Sequence, residues 1–308
     1  MKKLFLLVFC MISTCYLVFG QSNIRLNNYW ANTLTINPAA IYDKYDAVFS
    51  VAANKHWVGI PGAPVTYLGT ATTYIEQYHT QLGLKFVQDK IGYTSSSNLN
   101  LSYGYVVFVN YDWQLHLGIA GNYQRMNYDV SQVDMAEFDP DVLRYLEPQN
   151  NFNADAGFEI TTKSLRFGAA SQNIFSLFSE DANRVQANTN FVYLRYRQYN
   201  DNVVNLGAGV CGIQYGNLYQ TEFSLTNYFK FSNRSGLVSQ PDLFNIGLFY
   251  RTQNELGLVF GFNVSESIQL SYSYDYHLGG IRYGSYGTNE FMLVYNLKKK
   301  PVCRNCWY

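Results

Sequence analysis

What most constrains this chain is the alternation of apolar and polar residues over unusually long runs. In 268–277, Ile268, Leu270, Tyr272, Tyr274 and Tyr276 share one face, while Gln269, Ser271, Ser273, Asp275 and His277 share the other. Leu256, Leu258, Phe260 and Phe262 stand against Gly257, Val259, Gly261 and Asn263. Phe152, Ala154, Ala156, Phe158 and Ile160 oppose Asn153, Asp155, Gly157, Glu159 and Thr161. Leu99, Leu101, Tyr103, Tyr105, Val107 and Val109 form a further row. Period two is the signature of a strand, because successive side chains fall on opposite faces.

Run length and the chemistry of the two rows decide which β architecture is meant. Strands of a soluble sandwich usually run about 5–6 residues. Many runs here reach the length that crosses a bilayer at a tilt, roughly 9–11 residues. Their polar rows are rich in Gly, Ser, Asn and Gln, which suits a moist lumen better than a charged outer surface. Composition agrees: 14% of the 308 residues are charged, against about 25% in ordinary soluble domains. Tyr, Phe and Trp make up 17%, as expected of a surface that meets two solvents. Trp113, Tyr123, Tyr193, Tyr228, Tyr250, Tyr276 and Tyr295 lie at or near run ends and read as interfacial girdles. The 22 basic and 22 acidic residues balance, which excludes a basic nucleic-acid-binding face.

Lys2 and Lys3, an apolar stretch from Leu4 to Phe19 and a closing Gly20 predict a signal peptide over 1–20. After it no stretch approaches the length of a membrane helix, so a membrane location requires a closed barrel, which satisfies every backbone group in lipid. The predicted layout is an N-terminal periplasmic or plug segment over 21–45, a barrel over 46–298 and a C-terminal tail over 299–308. The barrel is an all-β, antiparallel up-and-down meander of about fourteen strands. Its runs fall at 46–54, 65–78, 80–89, 97–109, 112–124, 151–161, 164–173, 189–199, 203–214, 217–231, 243–251, 254–263, 266–277 and 288–298. Gaps after even-numbered runs are mostly tight. Those after odd-numbered runs include the long 55–64, 90–96, 125–150, 174–188 and 278–287. The even count predicts an outer-membrane location with both termini in the periplasm, and the asymmetry of the connectors agrees with a barrel. The turns at 215–216 and 252–253 and the long 232–242 break the pattern.

Little in the sequence carries chemistry. Ser271, Ser273, Asp275 and His277 share a strand face, but neighbours on it are roughly 7 Å apart, too far for a Ser–His hydrogen bond, so they read as lumen lining. Cys303-x-x-Cys306 lacks the further ligands of a zinc site. In the oxidising periplasm it predicts a small disulfide-closed loop, with Trp307 and Tyr308 as aromatic anchors for a partner; a plain frayed tail is the alternative. Acidic residues over 134–147 lack a calcium-loop pattern. No cofactor is implied.

Asn37-Pro38-Ala39-Ala40, followed by Trp57 and Gly62-Ala63-Pro64-Val65-Thr66, resembles the opening of the PorP/SprF family, the type IX secretion membrane proteins of Bacteroidetes. Leu270-Ser271-Tyr272-Ser273-Tyr274-Asp275 is similar to that family's penultimate strand, and 287–295 to its closing one, with Asn289 where His is more usual. The resemblance spans about 29–297. It implies a non-enzymatic outer-membrane barrel that docks a secreted surface adhesin bearing a C-terminal signal domain, gliding adhesins among them. It also implies attachment to a periplasmic peptidoglycan-binding or secretion-ring component. The residues alone leave a diffusion channel for small or hydrophobic solutes as the alternative.

Overall fold

A computed structural model describes residues 26–129, 148–178, 187–200, 202–230, 242–252 and 254–299. They contain fourteen strands: β1 (Tyr45–Lys55), β2 (Val65–Ile75), β3 (Thr80–Ile91), β4 (Thr94–Phe108), β5 (Gln114–Tyr128), β6 (Gln149–Thr161), β7 (Leu165–Gln172), β8 (Thr189–Arg197), β9 (Val204–Tyr215), β10 (Leu218–Lys230), β11 (Asp242–Arg251), β12 (Glu255–Asn263), β13 (Ile268–His277) and β14 (Thr288–Lys298). Each pairs antiparallel with its neighbours in sequence, and β14 returns to β1 with Val51 opposite Leu293. The meander is closed. Closure pairs both strand edges, so a wall of backbone amides can stand in hydrocarbon. Among the described residues no helix is long and apolar enough to cross a membrane, and this membrane barrel fits the outer membrane.

The period-two rows sort across the wall as expected. Leu256, Leu258, Phe260 and Phe262 face outward and exposed, as do Leu101, Tyr103 and Tyr105, while Asn100, Ser102, Ser271, Ser273 and Asp275 are buried inside. Each large outward side chain gains roughly 1.5–3 kcal/mol when taken out of water, and lipid supplies that environment. The girdle needs one correction. Trp113, Tyr123, Tyr250, Tyr276 and Tyr295 are exposed, but Tyr193 and Tyr228 are only 1% and 6% exposed. Their positions put them on the inward row, and strand parity overrides an aromatic's preference for the interface.

Tyr45 pairs with Lys298, so the first strand begins and the last strand ends at one end, the terminal rim. The opposite end, the loop rim, carries the connections 56–64, 129–148, 173–188 and 278–287. It also carries the short turns after β9 and β11 that the sequence marked as irregular; the strands on either side of each pair directly with one another. The expected long gap at 90–96 is a two-residue turn, Gly92-Tyr93, because β3 and β4 pair out to Ile91 and Thr94. Gly92 makes this possible with φ +56°, a backbone region glycine enters without a Cβ penalty.

Candidate functional site

Residues 26–44 lie inside the barrel. The segment has no strand alternation because no face of it meets lipid; Leu26, Tyr29, Leu34, Ile36, Ala39, Ala40 and Ile41 are all buried. A single 3-10 turn, Thr33–Thr35, bends it. Leu26 packs with inward Val48, Leu68, Val87, Met292 and Val294. Tyr29 and Ile36 pack with Phe191, Tyr193, Cys211 and Ile213. The lumen wall is therefore partly apolar where the segment covers it. Sequence reasoning missed these inward apolar residues, although 288–298 carries a signal: Met292 and Val294 are apolar on the face opposite Phe291, Leu293 and Tyr295.

Asn37-Pro38-Ala39-Ala40 seats the middle of the segment. Asn37 donates through Nδ2 to the Phe158 carbonyl (3.0 Å) and the Tyr193 hydroxyl (2.9 Å), and its Oδ1 accepts from the Ala39 amide (2.9 Å). Tyr193 in turn donates to Glu159 Oε2 at 2.7 Å. The backbone comes so close to the wall that a Cβ on Gly118 would overlap the Pro38–Ala39 peptide, and one on Gly157 would overlap Asn37 Oδ1. Gln81 brackets the next turn, donating to the Ala40 carbonyl (2.9 Å) and accepting from the Tyr42 amide (2.8 Å). Lys85 and Gln172 both donate to the Thr35 carbonyl, and Asn32 donates to Ser50 and Thr70.

The upper end of the segment is held by carboxylates. Glu290 accepts from the amides of Asn27 (2.7 Å) and Asn28 (3.0 Å) and from Asn54 Nδ2 (2.9 Å). Tyr29 donates to Glu222 at 2.8 Å. Arg251 ties this end together: Nε meets Glu222 (2.8 Å), Nη1 meets Glu255 (2.9 Å) and Asp275 (3.3 Å), and Nη2 donates to Asn27 Oδ1 (2.8 Å). Charged groups buried this deeply persist only when paired and hydrogen-bonded.

Beside the segment, from Asn27, Asn28 and Glu222 down to the terminal rim, runs a cavity of about 670 Å³. Lys44, Lys163, Arg166, Arg195 and Arg197 line it, with Tyr42, Tyr45, Tyr111, Tyr199 and Tyr228 between them. Asp43, Asp112 and Glu222 are the acidic lining residues, and Glu222 belongs to the Arg251 cluster. Arg195 donates to the Trp30 carbonyl (2.9 Å) and the Tyr228 hydroxyl (2.5 Å), and its guanidinium lies 5.2 Å from the Trp30 ring. Arg197 stacks on Tyr228 (3.8 Å) and Tyr199 (4.6 Å) and pairs with Asp242. Burial would raise the Tyr199 phenol, yet Arg197, Arg195, Arg166 and Lys44 outweigh it and hold its pKa below the ordinary value.

A family model described as "Type IX secretion system membrane protein PorP/SprF" matches residues 18–295. The chain belongs to the PorP/SprF family. No curated protein matches it. Among solved structures, the TodX deltaS2S3 mutant monoaromatic hydrocarbon channel has a TM-score of 0.51 at 8% identity, covering 87% of this chain and 94% of that one. The Ralstonia pickettii toluene transporter TbuX scores 0.49 at 9% identity, covering 87% and 93%. Omp33 of Acinetobacter baumannii scores 0.48 at 7% identity, covering 83% and 99%. At such identities the likeness is one of barrel fold.

Of the residues singled out from sequence in this PorP/SprF chain, Ser273 accepts from Asn27, Asp275 faces Arg251 and His277 meets Thr288. They form no nucleophile–base pair with one another. Cys303, Cys306, Trp307 and Tyr308, the leader 1–20 and the acidic stretch 134–147 lie outside the described residues.

Proposed function

We propose that this chain is a non-enzymatic docking barrel of type IX secretion, seated in the outer membrane with both termini in the periplasm. On this reading it anchors a secreted surface protein, such as a large adhesin with a C-terminal signal domain. It also couples that cargo to a peptidoglycan-binding or secretion-ring component below. The observation that carries the reading is the occupied lumen. Residues 26–44 hydrogen-bond to wall residues from β1 round to β14, which favours a closed scaffold over a solute path. The alternative, a diffusion channel, draws on the hydrocarbon channels among the structural neighbours, but 8–9% identity lends it fold alone.

Two measurements test it. In planar bilayers the wild-type chain is expected to give no stable ion current, whereas Gly118→Leu, which pushes the Pro38–Ala39 peptide off the wall, is expected to give one. In native cells, crosslinking followed by mild-detergent purification from outer membranes is expected to recover an exported surface protein or a periplasmic component. Stable wild-type currents together with a barrel recovered alone would overturn the proposal.

A further inference from the structure

The cavity beside residues 26–44, the vestibule of the terminal rim, has a charge pattern that anchoring the segment does not account for. Of its five cations, Arg166 faces buried Glu159 at 3.7 Å and Arg197 pairs with Asp242. For Arg195, Lys44 and Lys163, no carboxylate partner is found among the described residues. Arg195 is held by neutral groups only, the Trp30 carbonyl, the Tyr228 hydroxyl and the Trp30 ring. These fix its plane without neutralising it. A guanidinium oriented by neutral acceptors and aromatic faces keeps its planar fork available for a carboxylate or phosphate. Arg197, Arg195, Arg166 and Lys44 lie near enough to Tyr199 to hold its phenol below the ordinary pKa against the effect of burial.

We infer that the vestibule at the terminal rim is a docking site for an acidic peptide segment of a protein partner, whose carboxylates Arg195 receives together with Lys44 and Lys163. Three features favour a peptide over other anions. The cavity, about 670 Å³, falls in the range of roughly 300–1,000 Å³ that holds one ordinary ligand. It lies inside the barrel wall, away from lipid headgroups. Its cations are also interleaved with tyrosines: Tyr45, Tyr111, Tyr199 and Tyr228 offer ring faces and hydroxyls to a backbone and side chains. Lys44 and Lys163, both exposed, would attract such a segment from the rim. The inference rests on the docking reading for the existence of a partner and adds that partner's chemistry and the end at which it binds.

The test is a titration of the full chain in detergent with a fluorescein-labelled hexa-aspartate peptide, read by fluorescence anisotropy at low salt. The expected result is saturable binding that weakens about tenfold in Arg195→Gln, the size of one lost charge-assisted hydrogen bond. Because Arg195 also touches Trp30 and Tyr228, the Lys44→Gln/Lys163→Gln double variant serves as a second probe. Both lysines are exposed, Lys44 lying 5.8 Å from the exposed Tyr199 ring, and the variant is expected to lose binding severalfold with its unfolding midpoint unchanged. Hexalysine is expected not to bind. Absence of saturable peptide binding, or equal binding by wild type and both variants, would overturn the inference. So would tighter binding of a soluble muropeptide or of inorganic phosphate, which would reassign the site. Loss of crosslinked partners in cells defeats the docking reading, whereas a failed titration with those crosslinks intact defeats only this inference.

Discussion

The two ends of the lumen are built from opposite charges and treat them differently. Toward the loop rim, Glu222, Glu255 and Asp275 pair with one guanidinium, Arg251, itself 5% exposed at its side chain, and Glu290 binds the Asn27 and Asn28 amides. Toward the terminal rim, five cations line an open cavity with few acids among them. The first cluster is closed: Glu290 accepts from the amides of residues 27 and 28, Arg251 donates to the Asn27 side chain and Glu222 accepts from Tyr29. The second is open: Arg166 and Arg197 there meet Glu159 and Asp242, while Arg195 is held by a carbonyl, a hydroxyl and a ring. A buried ion network resists loss of any member because the remaining charges are stranded, whereas a solvated one tolerates loss. The contrast separates a structural latch from a surface that has charge to spare for a ligand.

Breaking the latch should have the largest effect. Arg251→Gln leaves Glu222 and Asp275 buried without their counter-ion, at a cost of about 3–5 kcal/mol. Denaturant unfolding followed by tryptophan fluorescence should show that loss, and the amide contacts of Asn27 and Asn28 should open to protease. An unchanged midpoint would mean the cluster is not the latch described here. Asn37→Ala comes next. It leaves the Ala39 amide without its side-chain acceptor and removes two donated bonds, for about 1–3 kcal/mol. Its effect should be confined to the middle of the segment, so protection at residues 27 and 28 by hydrogen exchange should persist.

The outer half of this molecule was legible in the sequence and the inner half much less so. Period two assigns Leu256, Leu258, Phe260 and Phe262 to one face without any knowledge of neighbours, and the fourteen runs follow from it. The latch depends instead on register. Glu222 lies opposite Arg251 across β10 and β11, and Arg251 opposite Glu255 across a short turn. Only that second pair is close in sequence. Residues 26–44 have no period because they pack irregularly against a dozen strands, so the chain alone left lumen and rim as open placements. The glycines that admit them, Gly118 and Gly157, sit in strands more than seventy residues away. Tyr193 and Tyr228 misled for the converse reason: local composition said interface, and parity put them inside beside Asn37 and Arg195.

The smallest expected effect sharpens the comparison most, because it asks whether charge at the terminal rim has any structural task. Lys163 is exposed in the β6–β7 turn. Lys163→Gln should leave the unfolding midpoint and bilayer behaviour of the barrel unchanged. It should still weaken binding of the hexa-aspartate probe two- to threefold at low salt, and that difference should vanish near 1 M salt, where the screening length falls to about 3 Å. A drop in stability would place Lys163 in a structural pairing like that of Arg251, and the division of the lumen into a closed acidic latch and an open cationic vestibule would have to be redrawn. A loss of binding that persists at high salt would point to direct contact by the lysine rather than to long-range attraction at the rim.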